Sequence, residues 1–157
     1  MAGCLAGYGV ESEADSKPVI MGNFIAKPVK ERICDAQAVL EALHDDAIAV
    51  VDSRPTPRFL GEVDEPRAGL RRGHMPGATN LPFSDLFEDG LLKPKQALQT
   101  LLAKHFDDGK HTICSCGSGV TACIPAFVAH LLGNDNVSVY DGSWSEWGRP
   151  GNLPVVS

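Results

Sequence analysis

Cys116 stands in a setting suited to nucleophilic sulfur chemistry. The apolar stretch His111-Thr112-Ile113 precedes it, and Gly117, Ser118 and Gly119 follow it. A strand that ends at a cysteine and turns through small residues into a helix points several backbone N–H groups at one sulfur. The positive end of the helix dipole faces the same way. A thiol placed there ionises more readily than a free cysteine, whose pKa is about 8.5. The thiolate is the nucleophile, so Cys116 is the candidate catalytic residue. Ser118 is a candidate for proton handling, although a hydroxyl needs a His or Asp partner before it acts as a base. Phosphate-ester chemistry on this loop would need an arginine six positions after the cysteine, to hold phosphate oxygens bidentately. That position is Ala122. Cys114 and Cys116 form a Cys-x-Cys pair, but no further His or Cys cluster completes a tetrahedral metal site.

The positioning elements follow from pattern. A short strand is expected over 29–34, and Asp35 is a good N-cap for a helix over 36–43. Residues 47–51 form a short apolar run of the kind found in buried parallel strands. The Pro-, Gly- and Arg-rich stretch 53–77 reads as a long excursion, and long loops in compact domains are usually functional or disordered. A strand is expected over 78–81 and a helical turn over 84–87. Pro94 opens a helix, with Leu98, Leu101, Leu102 and His105 along one face. Ile113 and Cys114 belong to a central strand. A helix over 120–132 follows, with Gly133 at its C-cap and Pro125 expected to bend it or loosen its first turn. The last strand spans 137–140. Strands and helices alternate, which predicts an α/β fold with a mainly parallel central sheet and helices on both faces. The reactive loop then lies at the carboxyl ends of the strands.

Four stretches, in order over 50–148, extend the reading beyond one loop. The run Cys116-Gly117-Ser118-Gly119-Val120-Thr121 resembles the active-site loop of the 3-mercaptopyruvate sulfurtransferases of the rhodanese superfamily. Val51-Asp52-Ser53-Arg54, with Arg58-Phe59 and Glu65-Pro66-Arg67, resembles the segment that holds the substrate arginines. Gly73-His74-Met75-Pro76-Gly77-Ala78 resembles the family's Gly-His-x-Pro-Gly-Ala turn. Tyr140-Asp141-Gly142-Ser143-Trp144-Ser145-Glu146-Trp147 resembles its C-terminal run. The resemblance implies a rhodanese-like catalytic domain and a sulfur transfer from 3-mercaptopyruvate, with thiosulfate as the second-ranked donor, through a Cys116 persulfide. It implies catalytic roles for Cys116 and Ser118. It also implies substrate binding by Arg58 and Arg67, with the loop residues Gly117, Gly119, Val120 and Thr121. Guanidinium forks suit a carboxylate, and Arg58 or Arg67 could alternatively pair with Glu62, Asp64 or Glu65. Arg54, Arg71 and Arg72 are read as structural ion-pair partners, with Asp52 on one of them. His74 is read as architectural, and Trp144 and Trp147 as packing residues. Thiosulfate-preferring relatives usually carry basic residues just after the cysteine, whereas Gly117 and Ser118 are neutral, which favours the monoanion. The sulfur acceptor implied is a thiol such as thioredoxin, or cyanide, and no metal or organic cofactor is needed.

Composition sets limits. A chain of 157 residues fits one catalytic domain, expected over 25–157. Residues 1–24 read as tail or linker, the remnant of a preceding rhodanese domain absent from this chain. The formal net charge of −6 argues against nucleic acid as a partner. No apolar run approaches the roughly 20 residues of a membrane span. No basic-then-apolar signal opens the chain. Five cysteines without disulfide spacing suggest free thiols and a cytoplasmic setting. Two other functions stay open on sequence: a persulfide carrier or binding module with little turnover, and a redox sensor using Cys114 or Cys123 as resolving thiol.

Overall fold

The computed structural model describes residues 22–23, 25–106 and 109–157. The tail and linker expected over 1–24, Cys4 included, lie almost wholly outside the described residues.

A 3-10 turn at Lys30–Arg32 leads into β1 (Ile33–Cys34), which is shorter than the strand expected over 29–34. Asp35 then caps α1 (Ala36–Ala42), its carboxylate accepting the Ala38 N–H at 3.0 Å. The apolar run becomes β2 (Ile48–Asp52). The excursion that follows contains α2 (Thr56–Phe59) before β3 (Thr79–Asn80) and a 3-10 turn at Phe83–Leu86. A hairpin of β4 (Phe87–Glu88) and β5 (Leu91–Leu92) comes next, an element that sequence reasoning missed. Its signal was present: Asp89 and Gly90 both adopt positive φ, the two-residue turn that an Asp-Gly pair favours. The remaining elements are α3 (Lys95–Leu102), β6 (His111–Ser115), α4 (Cys123–Leu131), β7 (Val137–Tyr140) and α5 (Ser143–Trp147).

Among the described residues, five strands form one parallel sheet in the order β1-β7-β6-β2-β3. Successive side chains of β2 and β6 point to opposite faces, so each strand feeds two cores. Val51 and Cys114 face a cluster with Leu98 and Leu102 of α3 and Val128 and Ala129 of α4. Val50 and Ile113 face the other cluster, with Val39 of α1 and Trp144 and Trp147 of α5. Helices on both faces explain why the central strands read as continuous apolar runs.

Two expectations about the helix after Cys116 need correction. It begins at Cys123, not at 120, so Pro125 falls in its first turn. The amide that proline lacks would have no helical partner there, and the ring displaces no bond. Gly133 follows the C-cap Leu132 at φ +91°, with Gly133 N–H on His130 O (3.0 Å) and Asn134 N–H on Ala129 O (2.9 Å). This paired closure is the Schellman arrangement, and it directs the chain into β7. Among the described residues, no helix is long and apolar enough to cross a membrane.

Candidate active site

Adjacent parallel strands end at one edge of the sheet, and their following loops meet there. Ser115 ends β6 beside Asp52 at the end of β2. The chain then breaks from the sheet, with Ser53 N–H donating to Ser115 O at 2.8 Å. Cys116 is the next residue, 1% exposed at the floor of the loop that leads to α4. The late start of α4 lengthens this loop to Ala122, so the chain can curl round the sulfur.

The Cys116 thiol is held below its ordinary pKa. Burial pushes it up. Hydrogen bonds from the Thr121 hydroxyl, the backbone at Ser118 and Ala122, and the Ser143 hydroxyl more than offset that. Each favours the thiolate, as donors to a charged form do. The other described thiols go the opposite way. Burial raises Cys114 strongly, and it also raises Cys34 and Cys123. The strand that leads to the nucleophile thus contains a cysteine, two residues before it, that stays neutral in the core.

Glycine is required at one loop position in particular. Gly119 has φ +81°, and a Cβ there would lie 2.6 Å from Asp141 O and 3.0 Å from Asp141 Oδ1. Gly117 is a milder case, where a Cβ would meet Arg58 Nη2 at 3.0 Å. The loop is pinned from the other side by α5. Trp144 N–H donates to Cys116 O and Ser145 N–H to Gly117 O, both at 2.9 Å. Ser145 Oγ donates to Gly117 O at 2.5 Å.

A cleft of about 280 Å³ opens over this loop. Arg58 and Arg67 line it together with Gly117, Ser118, Val120 and Thr121, and Phe83 and Leu70 add apolar wall. Every residue singled out on the sequence for substrate binding therefore lies at this end of the sheet. Gly119 does not line the cleft and packs against Asp141. Arg58 is not free, because Glu65 holds it as an ion pair. The pairing weighed on sequence as its alternative role is thus present together with its place in the cleft. Arg67 is exposed and donates to Ser145 Oγ. Ser118 is exposed and lines the cleft, and among the described residues its hydroxyl has no His or Asp partner to activate it. A larger cleft of about 600 Å³ sits at the amino ends of the strands, lined in part by Asp45, Lys104 and His105. Its lining contains no cysteine, so size does not select the site here.

The arginines read as structural are so placed. Arg54 is buried on Asp52, and its guanidinium lies 4.0 Å over the Trp144 ring. Arg71 donates to Leu153 O and Trp147 O at 2.8 Å each, and Arg72 pairs with Asp64. His74 stacks on Phe59 at 3.9 Å, with Nδ1 2.8 Å from Phe59 O, and it is not among the residues that line the cleft. Among the described residues, no group of His, Cys, Asp and Glu side chains could hold a metal ion.

Sequence reasoning missed Ser143. Its hydroxyl accepts the Cys116 N–H at 3.1 Å and reaches Cys116 Sγ at 3.9 Å. It lies within the quoted Tyr140-Asp141-Gly142-Ser143 run, but nothing local shows that a residue 27 positions from the cysteine will touch it.

Comparisons with known proteins identify the family and the fold. A model of the rhodanese-like domain matches residues 35–150. The chain is 44% identical over 135 residues to 3-mercaptopyruvate sulfurtransferase of Escherichia coli, a match that covers 85% of this chain and 48% of that protein. It is 45% identical over 116 residues to thiosulfate sulfurtransferase of Rattus norvegicus, covering 72% and 39%. Among solved structures, the crystal structure of SseA from Escherichia coli superposes with a TM-score of 0.66 at 40% identity, covering 82% of this chain and 48% of that one. The chain spans about half the length, or less, of these relatives.

Proposed function

We propose, from the premise that this chain belongs to the rhodanese-like domain family, that it is a sulfurtransferase taking sulfur from 3-mercaptopyruvate onto Cys116 and passing it to a thiol. One observation carries the reading: Cys116, whose thiol is hydrogen-bonded into a lowered pKa, directly precedes Gly117 and Ser118, which line a cleft together with Arg58 and Arg67.

The Cys116 thiolate attacks the sulfur of the donor. The S–S bond forms as the donor's C–S bond breaks, and the carbon fragment leaves with the bonding electrons as the enolate of pyruvate. A proton from water, relayed by the exposed Ser118 hydroxyl, completes pyruvate. Arg58 and Arg67 hold the donor carboxylate and keto oxygen. The hydrogen-bond donors that stabilise the thiolate suit the persulfide anion as well. An acceptor thiolate then attacks the outer sulfur and releases Cys116. The two half-reactions share one covalent intermediate. The relatives carry names for two donors at nearly equal identity. The neutral Gly117 and Ser118 support the singly charged one, because neither residue after the cysteine supplies a cation to complement a second negative charge. The catalytic unit of this proposal is residues 25–157.

The test is pyruvate release from 3-mercaptopyruvate, with thiosulfate in parallel and the intact mass recorded. Turnover with a one-sulfur adduct on Cys116 supports the enzyme. An adduct without turnover would leave a persulfide carrier. Pyruvate release by Cys116→Ser protein would sink the mechanism.

A further inference from the structure

Two of the cleft's arginines, Arg58 and Arg67, are held very differently, and the difference centres on a carboxylate. Glu65 is buried, its side chain 2% exposed, although it sits in the long excursion between β2 and β3. Its Oε1 accepts Arg54 Nη1 at 2.8 Å. The Nε–Nη2 edge of Arg58 grips the same carboxylate, with Nε 3.1 Å from Oε2 and 3.3 Å from Oε1 and Nη2 paired with Oε2. Arg54 cannot shift to accommodate this. Asp52 holds its other edge, Nε and Nη2 lying 2.9 and 2.7 Å from Oδ2. Gly73 O accepts a further bond from Nη2 at 2.9 Å, and Trp144 supports the guanidinium plane. The chain of contacts Asp52–Arg54–Glu65–Arg58 therefore runs from the end of β2 to the nucleophile loop, where Arg58 packs on Gly117.

Two consequences follow from the shape and charge of these groups. A guanidinium donates from a rigid planar fork. With the Nε–Nη2 edge used on Glu65, Arg58 retains Nη1, which makes no protein hydrogen bond among the described residues. The charges also sum simply. Asp52 and Glu65 cancel Arg54 and Arg58, which leaves the single charge of Arg67. Without Glu65 the same cleft would carry two positive charges.

We infer that Glu65 is a positioning and specificity-determining residue. It turns the free Nη1 of Arg58 toward the anionic group of the donor, and it tunes the cleft to singly charged donors over doubly charged ones. The inference rests on the sulfur-transfer reading for its substrates but not for its electrostatics. The role is distinct from that of the arginines, because Glu65 carries the same sign of charge as the substrate: it orients Arg58 and offsets its charge rather than binding the anion itself.

The test uses the full chain, with Glu65→Gln and Glu65→Asp. Cys116 is alkylated with iodoacetate, which carries one negative charge, and with neutral iodoacetamide of nearly the same shape. In Glu65→Gln the iodoacetate-to-iodoacetamide rate ratio is expected to rise about fivefold. The preference for thiosulfate over mercaptopyruvate is expected to rise about tenfold, since one charge is removed within a few ångströms of the anion. Both ratios staying at wild-type values would overturn the specificity role. Glu65→Asp keeps the charge beside buried Arg54 but withdraws one methylene from Arg58. There the mercaptopyruvate KM is expected to rise about tenfold with the donor preference retained. A wild-type KM in that variant would overturn the positioning role, and it decides the matter if Glu65→Gln does not fold. Absence of a persulfide from either donor in the unsubstituted chain would count against the sulfur-transfer reading, while the alkylation ratio would still decide the charge role of Glu65.

Discussion

Ser143 Oγ sits between Cys116 and the end of β7, accepting the Cys116 N–H at 3.1 Å while its one proton faces two acceptors. Tyr140 O lies 2.8 Å away and Cys116 Sγ 3.9 Å away. The carbonyl is the better partner for a neutral thiol, and the sulfur becomes the better one when it is charged. The hydroxyl can thus follow the charge on the nucleophile without moving the backbone. Ser143 holds φ +47°, a left-handed conformation that side chains rarely adopt. Glycine accepts that φ without strain. Ser143→Gly is therefore expected to slow iodoacetamide alkylation of Cys116 at neutral pH by roughly three- to tenfold, the scale of one hydrogen bond to a charged group. Its melting temperature should stay close to wild type. An unchanged alkylation rate would remove Ser143 from the site.

Cys116 and Cys123 should react in an order opposite to their exposure. Cys123 is exposed, yet burial and the nearby Cys116 and Asp141 charges raise its pKa. Cys116 is buried and lowered. As pH falls from alkaline to neutral, Cys123 should lose reactivity first and Cys116 last. Peptide mapping after brief alkylation at neutral pH should find Cys116 modified before Cys123, and the reverse order would contradict the hydrogen-bonding account of the loop.

The same shifts fix how stability depends on alkaline pH. Cys116 has a folded pKa below its unfolded value, so its contribution is present above the unfolded thiol pKa and fades as pH falls through the folded one. Cys114 is the opposite case, with a folded pKa raised by burial. Its contribution is complete below the unfolded thiol pKa and is lost as pH rises from there toward the folded value. Cys114→Ala should cost about 1 kcal/mol at neutral pH through lost packing. It should also flatten the decline in stability above the ordinary thiol range, as read by urea melts across that range. A decline as steep as in wild type would show that Cys114 does not cause it.

Gly117 and Gly119 should differ sharply when each becomes alanine. The obstacle at Gly117 is the end of a long side chain, Arg58, which can give way. Gly117→Ala should therefore keep the fold and mainly weaken anion binding, seen as a raised KM. At Gly119 the obstacle is Asp141 backbone at 2.6 Å, added to a positive φ. Gly119→Ala should lose roughly 2–3 kcal/mol and most of the Cys116 reactivity. Equal effects at the two positions would mean that the loop is softer than its contacts indicate.

The arginines should separate by burial. Arg54 is fully buried on two carboxylates. Arg54→Met leaves Asp52 without its cation and Glu65 with Arg58 alone, and should destabilise by about 3–5 kcal/mol. Arg67 is exposed at the cleft. Arg67→Ala should change the urea midpoint little while lowering kcat/KM for mercaptopyruvate by roughly a hundredfold, if it holds the substrate. Loss of stability without loss of activity would reverse the two assignments.

Signals carried by near neighbours were legible in the chain. Asp35 announces α1, the run ending at Val51 announces β2, and the small residues after Cys116 announce a tight loop at a strand end. Those signals depend on backbone preference and on side-chain period, which adjacent residues determine. They also sufficed for the α/β class with its parallel sheet and covered faces. The Asp89-Gly90 hairpin was equally local and could have been read from the same rules. The start of α4 was less so. Pro125 is compatible with a bent helix from 120 or a straight one from 123, and the loop's contacts with α5 and Asp141 favour the second.

What only the tertiary structure decided is which distant groups share a charge or a proton. Ser143 meets Cys116 because β7 and β6 are neighbours in the sheet, so the segments that follow them converge at the carboxyl edge. Arg54 and Arg58 look alike in sequence, four residues apart in one loop. One is buried on Asp52 and Glu65, and the other is left with a free edge at the cleft. Sequence spacing cannot separate them, because ion pairing in a buried network is settled by strand order and desolvation, and both act between residues far apart along the chain.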